Sequence, residues 1–393
     1  MNDKLNIGLF LDCFYPVVDG VVMVVDNYAR CLKDIANVTV FVPKGKKFFD
    51  DSTLPYKVVR CNSFKIPFFD YDLPMPKANN KFIKEIDAAK LDIIHIHSPF
   101  QIGKLATAYG NKHNIPVVVT MHSQYKRDFY RATHSKLITK ILLKNISKIY
   151  NKCDVLWTMN EACVNISRAY GYKGKIEIIS NATNLKNNYT EKELVSIKNE
   201  VRKKYNITDD TKVLLSIGRL NKLKNIDLTL SACKELKNLN FKYKLFIIGD
   251  GADRLYFENK AKQLGVNDSC LFLGKIVDTE EKCKLFASAD LHVFPSFYDT
   301  DGIVRIEAAA FKLPTLFAKD SVASSAIKDK VNGYIAKATP QDTANEIIRI
   351  FNNPTEYKSV CENCHKDIYI TFEDLIHTVY QKYLSIISEK RNS

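Results

Sequence analysis

The 393-residue chain is predicted to be an α/β protein of two lobes, each a parallel sheet covered by helices on both faces. Three observations predict this. Short runs rich in Val, Ile and Leu alternate with longer helical patterns. They place strands at 5–11, 38–42, 57–61, 92–96, 116–120, 155–158 and 175–179 of a first lobe, and at 213–217, 244–248, 270–273, 291–294 and 314–318 of a second. The polar stretch 181–188, Asn-Ala-Thr-Asn-Leu-Lys-Asn-Asn, separates the two sets and suits an interdomain linker. A chain of this length that is 46% hydrophobic can bury more than one core. The expected domains are therefore 1–184 and 185–370. A last segment, 371–393, repeats apolar residues at Phe372, Ile376, Val379, Tyr383 and Ile387 behind Thr371 and Asp374, as an amphipathic helix does.

Bulk properties narrow the class. No apolar run reaches the ~18 residues of a membrane span. The apolar start Ile7-Gly8-Leu9-Phe10-Leu11 is interrupted by Asp12 and Pro16, which fits a first strand better than a secretory segment. Ten scattered cysteines without such a segment point to reduced thiols and a cytoplasmic location. The formal charge of +14 reflects lysine spread through the whole chain, but one pattern is local. Lys136, Lys140, Lys144, Lys148 and Lys152 recur every four residues, with Leu137, Ile138, Ile141, Leu142 and Ile149 between them and Arg127 and Arg131 before them. On a helix the lysines form a stripe beside an apolar face, which suits an anionic membrane surface; an ordinary solvated face is the alternative. No basic motif interleaved with aromatics accompanies the charge, so nucleic acid is not expected as a partner.

The chemistry concentrates in residues 294–310. A buried strand ends at Phe294, a polar turn with Gly302 follows, and a small-residue helix opens at Ile303. Such a turn offers free backbone N–H groups and the positive end of a helix dipole to a phosphate or pyrophosphate. Asp299 before the turn and Glu307 inside the helix stand eight positions apart, placed to hold hydroxyls on either side of that phosphate. A sugar, a pyrophosphate and a ribose held together make a nucleotide-sugar donor.

This segment resembles the acidic-x7-Glu signature of the retaining glycosyltransferases of family four, whose two Rossmann-like lobes face a central cleft in the GT-B fold. The family pattern usually begins with Glu and has an aromatic where Asp301 stands; here Asp299 keeps the acid but shortens its reach by one methylene. Other segments resemble family elements in the same order. Ser216-Ile217-Gly218-Arg219-Leu220 with Lys224 looks like the Gly-Arg-…-Lys element, implying that Arg219 and Lys224 stabilise the departing diphosphate. Gly249-Asp250-Gly251 resembles a site-lining turn, and Gly274-Lys275-Ile276 the segment whose backbone meets the nucleobase. In the first lobe, Gly20 falls in the loop whose backbone approaches the diphosphate, and His122 in the Thr-x-His position that touches donor sugar and phosphate, with His97 shaping the wall. The resemblance further implies that Asp299 and the backbone of Asp301, Gly302 and Ile303 hold the sugar and Glu307 the ribose. It also implies a last helix crossing back to the first lobe, closure over the donor, no cofactor and no metal.

Some motifs compete with this reading. Asp299-Thr300-Asp301 and Asp70-Tyr71-Asp72 are formal Asp-x-Asp metal patterns, and Cys361-Glu362-Asn363-Cys364-His365 matches a haem-attachment pattern; both are too short or too isolated to prevail. The Gly-Val-Val loop, the Ser-Pro-Phe turn after His97 and the lysine stripe look most like bacterial diacylglycerol glucosyltransferases. That implies UDP-glucose as donor and diacylglycerol or its glucosyl derivative as acceptor, at the inner face of the cell membrane. A carbohydrate acceptor in capsule or exopolysaccharide assembly, a UDP-sugar epimerase and a non-catalytic binding partner are the alternatives.

Overall fold

The computed structural model describes residues 4–64 and 72–392, and divides the chain into two compact units. Unit 1 is residues 1–181 together with 372–393; unit 2 is residues 182–371. Asp70 and Tyr71 lie outside the described residues.

Unit 1 follows the order β1 (Asn6–Phe10), α1 (Gly20–Leu32), β2 (Asn37–Pro43), β3 (Lys57–Cys61), β4 (Ser63–Phe64), β5 (Leu73–Pro74), α2 (Asn80–Ala88), β6 (Ile93–Ile96), α3 (Gln101–His113), β7 (Val117–Thr120), α4 (Tyr125–Thr133), α5 (Lys136–Tyr150), β8 (Val155–Thr158), α6 (Glu161–Ala169) and β9 (Lys175–Ile178). Its seven-stranded sheet has the order β3-β2-β1-β6-β7-β8-β9 with parallel pairing, and β4 and β5 form a separate antiparallel pair. Val117, Val118 and Val119 are fully buried, as a strand with helices on both sides requires.

The C-terminal helix, α14 (Phe372–Arg391), completes unit 1 by packing on α1. The Tyr383 hydroxyl bonds His95 Nδ1 at 2.6 Å and its ring stacks on Trp157 with centroids 5.5 Å apart. At the rim, Lys382 pairs with Glu177 and Lys390 with Asp154, each at 2.8 Å.

Unit 2 runs α7 (Glu191–Lys204), β10 (Lys212–Ile217), α8 (Ile226–Asn238), β11 (Tyr243–Ile248), α9 (Arg254–Gln263), β12 (Cys270–Gly274), α10 (Thr279–Ser288), β13 (Leu291–Phe294), α11 (Ile303–Ala310), β14 (Thr315–Ala318), β15 (Tyr334–Ala336), α12 (Pro340–Phe351) and α13 (Pro354–Ile368). Its six parallel strands are ordered β12-β11-β10-β13-β14-β15. Alternation along β10 and β11 divides the core. Leu214, Leu245 and Ile247 face α8, α9 and α12, whereas Val213, Leu215, Phe246 and Ile248 face α7, α10 and α11. Each such side chain contributes roughly 1.5–3 kcal/mol on burial. The three residues of β15 were not expected from the sequence.

In both sheets the chain starts near the middle, winds to one edge and returns to wind to the other. The reversal lies between β1 and β6 in unit 1 and between β10 and β13 in unit 2. Loops leaving the carboxyl ends of such strands diverge and open a crevice, the usual ligand position in open α/β sheets.

Candidate active site

In unit 2 the segments singled out from the sequence leave that reversal point. The chain after β10 carries Gly218, Arg219 and, in a 3-10 turn, Lys224; the chain after β13 carries Asp299 to Gly302 and enters α11. The loops are stitched together by backbone bonds: Gly218 N–H to Ile248 O at 3.0 Å, Leu220 N–H to Asp250 O at 3.0 Å, and Gly249 N–H to Gly274 O at 2.8 Å. Gly249 sits at φ +134°, and a Cβ there would lie 1.9 Å from Gly218 O, so only glycine fits. Gly249 therefore works as a packing contact beneath the Gly218 loop. Ile276 follows β12 and packs half-buried against the α7–α10 face.

Gly302 forms the N-cap of α11 with φ +77° and ψ 85°, a backbone a side chain would strain. No side chain caps the helix and its first turn holds no acid, so Ile303 and Val304 present their N–H groups to an anion. Lys224 Nζ reaches Asp299 Oδ1 at 2.5 Å, bringing the two loops together, while Asp299 Oδ2 is buried without a hydrogen-bond partner. Arg219 is exposed and has no ion-pair partner among the described residues. Glu307 Oε1 accepts from Lys282 Nζ at 2.7 Å, and its Oε2 is likewise buried and unpartnered. Two carboxylate oxygens thus await donors beside an uncapped helix start, with cations nearby.

Asp301 is occupied otherwise. Its carboxylate is fully buried against Arg305, whose Nε donates to Asp301 Oδ1 at 3.0 Å and to the Asp301 carbonyl at 3.2 Å. The Asp-x-Asp pattern is therefore split, one acid on Lys224 and the other on Arg305. The spacing of four between Asp301 and Arg305 was a readable signal that passed unused. The Cys361–His365 pattern is absorbed by packing: Cys364 is buried between α13 and α11, and the His365 ring bonds the Ala309 carbonyl at 2.9 Å.

In unit 1 the loops after β1, β6 and β7 gather Asp12, His97 and His122. His97 Nδ1 lies 3.0 Å from His122 Nε2, so one nitrogen donates and the other accepts. Burial pushes His122 down to about 3, and burial with the neighbouring histidines holds His97 well below the usual range. Asp12 accepts from Ser98 Oγ at 2.8 Å and from the Ile102 N–H at 2.7 Å, capping α3 from the loop after β1; burial nevertheless lifts it to about 6. Gly20 opens α1. It is exposed, nothing lies within 4 Å of where its Cβ would be, and the α1 N–H groups of Val21 and Val22 both donate to Asp19 Oδ1 at 2.9 Å. The first turn of α1 thus already holds a carboxylate.

The sign of the pH response follows from these groups. Histidines buried in neutral form stabilise the fold above the unfolded value of about 6.5, and this is lost as pH falls toward their folded values. Asp12 acts oppositely between its unfolded value and about 6, where the folded state holds the extra proton. His95, also lowered by burial, joins His97 and His122, so the histidines outweigh the single acid. Urea midpoints are expected to fall from pH 7 to pH 5, and His122→Asn to flatten that slope by about 1.4 kcal/mol per pH unit, one proton's worth. An unchanged slope in the variant contradicts the buried neutral ring.

The lysine stripe lies on α5, and the residues between the lysines are not all core. Leu137, Ile138 and Ile141 are 70%, 46% and 53% exposed, beside the exposed Lys136, Lys140 and Lys144. Thr139, Ile146 and Tyr150 form the buried side. Lys152 lies just beyond the helix end. Among the described residues no helix is long and apolar enough to cross a membrane.

Comparison with known proteins agrees with this architecture. The family model "Glycosyltransferase Family 4" matches residues 18–187, and "Glycosyl transferases group 1" matches residues 197–367. Alpha-monoglucosyldiacylglycerol synthase of Acholeplasma laidlawii is 26% identical over 98% of both chains. The protein of the same name from Streptococcus pneumoniae is 28% identical over 84% of this chain and 75% of its own. Among solved structures, HepE from Anabaena in complex with UDP and glucose superposes with a TM-score of 0.72 at 16% identity, covering 97% of this chain and 100% of that one. Sucrose-phosphate synthase from Thermosynechococcus elongatus gives 0.75 at 18% identity, covering 98% and 99%. With one model matched in each half and this fold, the chain belongs to the family-four glycosyltransferases of the GT-B class.

Proposed function

We propose that the protein transfers glucose from UDP-glucose, with retention, to a membrane lipid acceptor, diacylglycerol or its glucosyl derivative. The observation that carries the donor half is the uncapped start of α11 with two partly unsatisfied carboxylates, Asp299 held by Lys224 and Glu307 held by Lys282, and Arg219 on the loop after the adjacent strand β10. Arg219, Lys224 and the Ile303 and Val304 N–H groups take the pyrophosphate, Asp299 the sugar hydroxyls and Glu307 the ribose. In a retaining transfer of this kind the acceptor hydroxyl attacks on the leaving-group side. The departing phosphate oxygen receives its proton, and the anomeric carbon passes through an oxocarbenium-like state. Rate then comes from positioning and from charge stabilisation of the leaving diphosphate. No step in this scheme needs a metal.

Two features support the lipid half: the exposed Leu137, Ile138 and Ile141 among lysines on α5, and relatives named for glucosylating diacylglycerol. A face that is basic and apolar together suits the cytoplasmic surface of an anionic membrane. Replacing Lys136, Lys140, Lys144 and Lys148 with Gln is expected to weaken binding to phosphatidylglycerol vesicles by up to about a thousandfold, at ~1 kcal/mol per lysine near the surface, and to leave donor affinity intact. Unchanged vesicle binding returns the stripe to a solvated face.

The decisive experiment measures nucleotide release from UDP-, GDP- and ADP-sugars in EDTA, with and without diacylglycerol–phosphatidylglycerol vesicles. UDP release from UDP-glucose that requires the vesicles is expected. Release that ignores lipid but follows an added oligosaccharide keeps the transferase and replaces the acceptor. Loss of release in EDTA overturns metal independence.

A further inference from the structure

Lys282 lies outside every segment that the sequence marks as the site. It extends from α10, whose Cys283 and Phe286 are buried in the core, and its ammonium passes 5.8 Å from the Phe286 ring centroid. The ammonium ends 2.7 Å from Glu307 Oε1. The neighbouring acids on α10 are engaged elsewhere, Glu280 with Lys284 at 3.3 Å and Glu281 with Lys204 at 3.5 Å. Glu307 is 14% exposed, and its second oxygen is buried with no partner.

We propose that Lys282 is a positioning residue for nucleotide recognition: by occupying Glu307 Oε1 it fixes the carboxylate so that Oε2 faces the 2′- and 3′-hydroxyls of a ribose. This rests on the reading of Glu307 as the ribose-binding acid. A glutamate has three side-chain torsions to immobilise on binding. A salt bridge made before the ligand arrives removes that ordering from the binding step. The buried Oε2 is costly while unpaired and is satisfied by a hydroxyl donor, so the ribose gains what the free protein lacks. The ribose is remote from the bond that breaks, so the effect falls on donor affinity and leaves saturated turnover nearly unchanged.

The test is calorimetric binding of UDP, GDP and their 2′-deoxy forms to the wild type, Lys282→Met, Lys282→Arg and Glu307→Gln. Urea unfolding of each variant accompanies the titrations. The expected result is a loss of at least fivefold for the ribonucleotide in Lys282→Met, largely restored in Lys282→Arg. The 2′-deoxy form binds the wild type more weakly and loses little more in Lys282→Met. Turnover at saturating donor stays within twofold. Equal losses for the ribo and deoxy forms make Lys282 a packing residue and overturn the proposal, as does no loss at all. Wild-type binding with a loss in Glu307→Gln but none in Lys282→Met sinks this inference alone. Absence of nucleotide binding by the wild type, or binding indifferent to Glu307→Gln, removes the ribose reading and the inference with it.

Discussion

Arg305→Met is expected to cost about 3–5 kcal/mol of stability, the range for leaving one partner of a buried ion pair uncompensated. Asp301 is fully buried and Arg305 nearly so, and one Asp301 oxygen already lacks a partner, so removing the guanidinium strands the carboxylate entirely. The damage belongs to unit 2 and to the turn that opens α11. Urea denaturation checks it, with the double variant Asp301→Leu/Arg305→Met as the control. If the pair is a local substitute for an apolar plug, the double variant recovers most of the loss, because apolar replacement of both charges is often neutral or better. A double variant as unstable as the single one contradicts that account.

The second large effect concerns turnover. Arg219→Ala is expected to lower turnover well over tenfold, and Glu307→Ala to lower kcat/KM by a similar factor through donor affinity, about 1.4 kcal/mol or more in each case. Asp299 already neutralises Lys224 in the free protein, whereas Arg219 is exposed and unpaired, so Arg219 is the cation most available to an arriving diphosphate. Charge-assisted hydrogen bonds to an oxyanion are worth about 1.5–3 kcal/mol each, enough to account for such a loss. Initial rates of UDP release at saturating and subsaturating UDP-glucose measure both variants. Near-normal rates in the two together would falsify the site assignment.

The sheets were legible because their strands are buried on both faces and read as continuous apolar runs; Val117 to Val119 and Leu245 to Ile248 are examples. Strand β15 was not, since Tyr334-Ile335-Ala336 is too short to show a period. At the site, the glycine turn and its flanking acids announced themselves through type and order. What the sequence hid was which charge meets which. Lys282 shares no local pattern with Glu307 and reaches it only because α10 and α11 pack on the same face of the sheet. Asp12 likewise caps a helix far from it in sequence. The sequence reading used only the backbone of Asp301; that its carboxylate is buried against Arg305 depends on packing that the local sequence does not show.

The division of the chain, 182–371 between the two parts of unit 1, also constrains the order of folding during synthesis. All of unit 2 is synthesised before α14, and domains generally fold as units. Unit 1, although its first 181 residues are made earliest, waits with His95 and Trp157 lacking the Tyr383 ring that covers them. A chain released without Tyr383 therefore keeps every residue of the second unit but leaves the first one open. A late truncation damages the part made first.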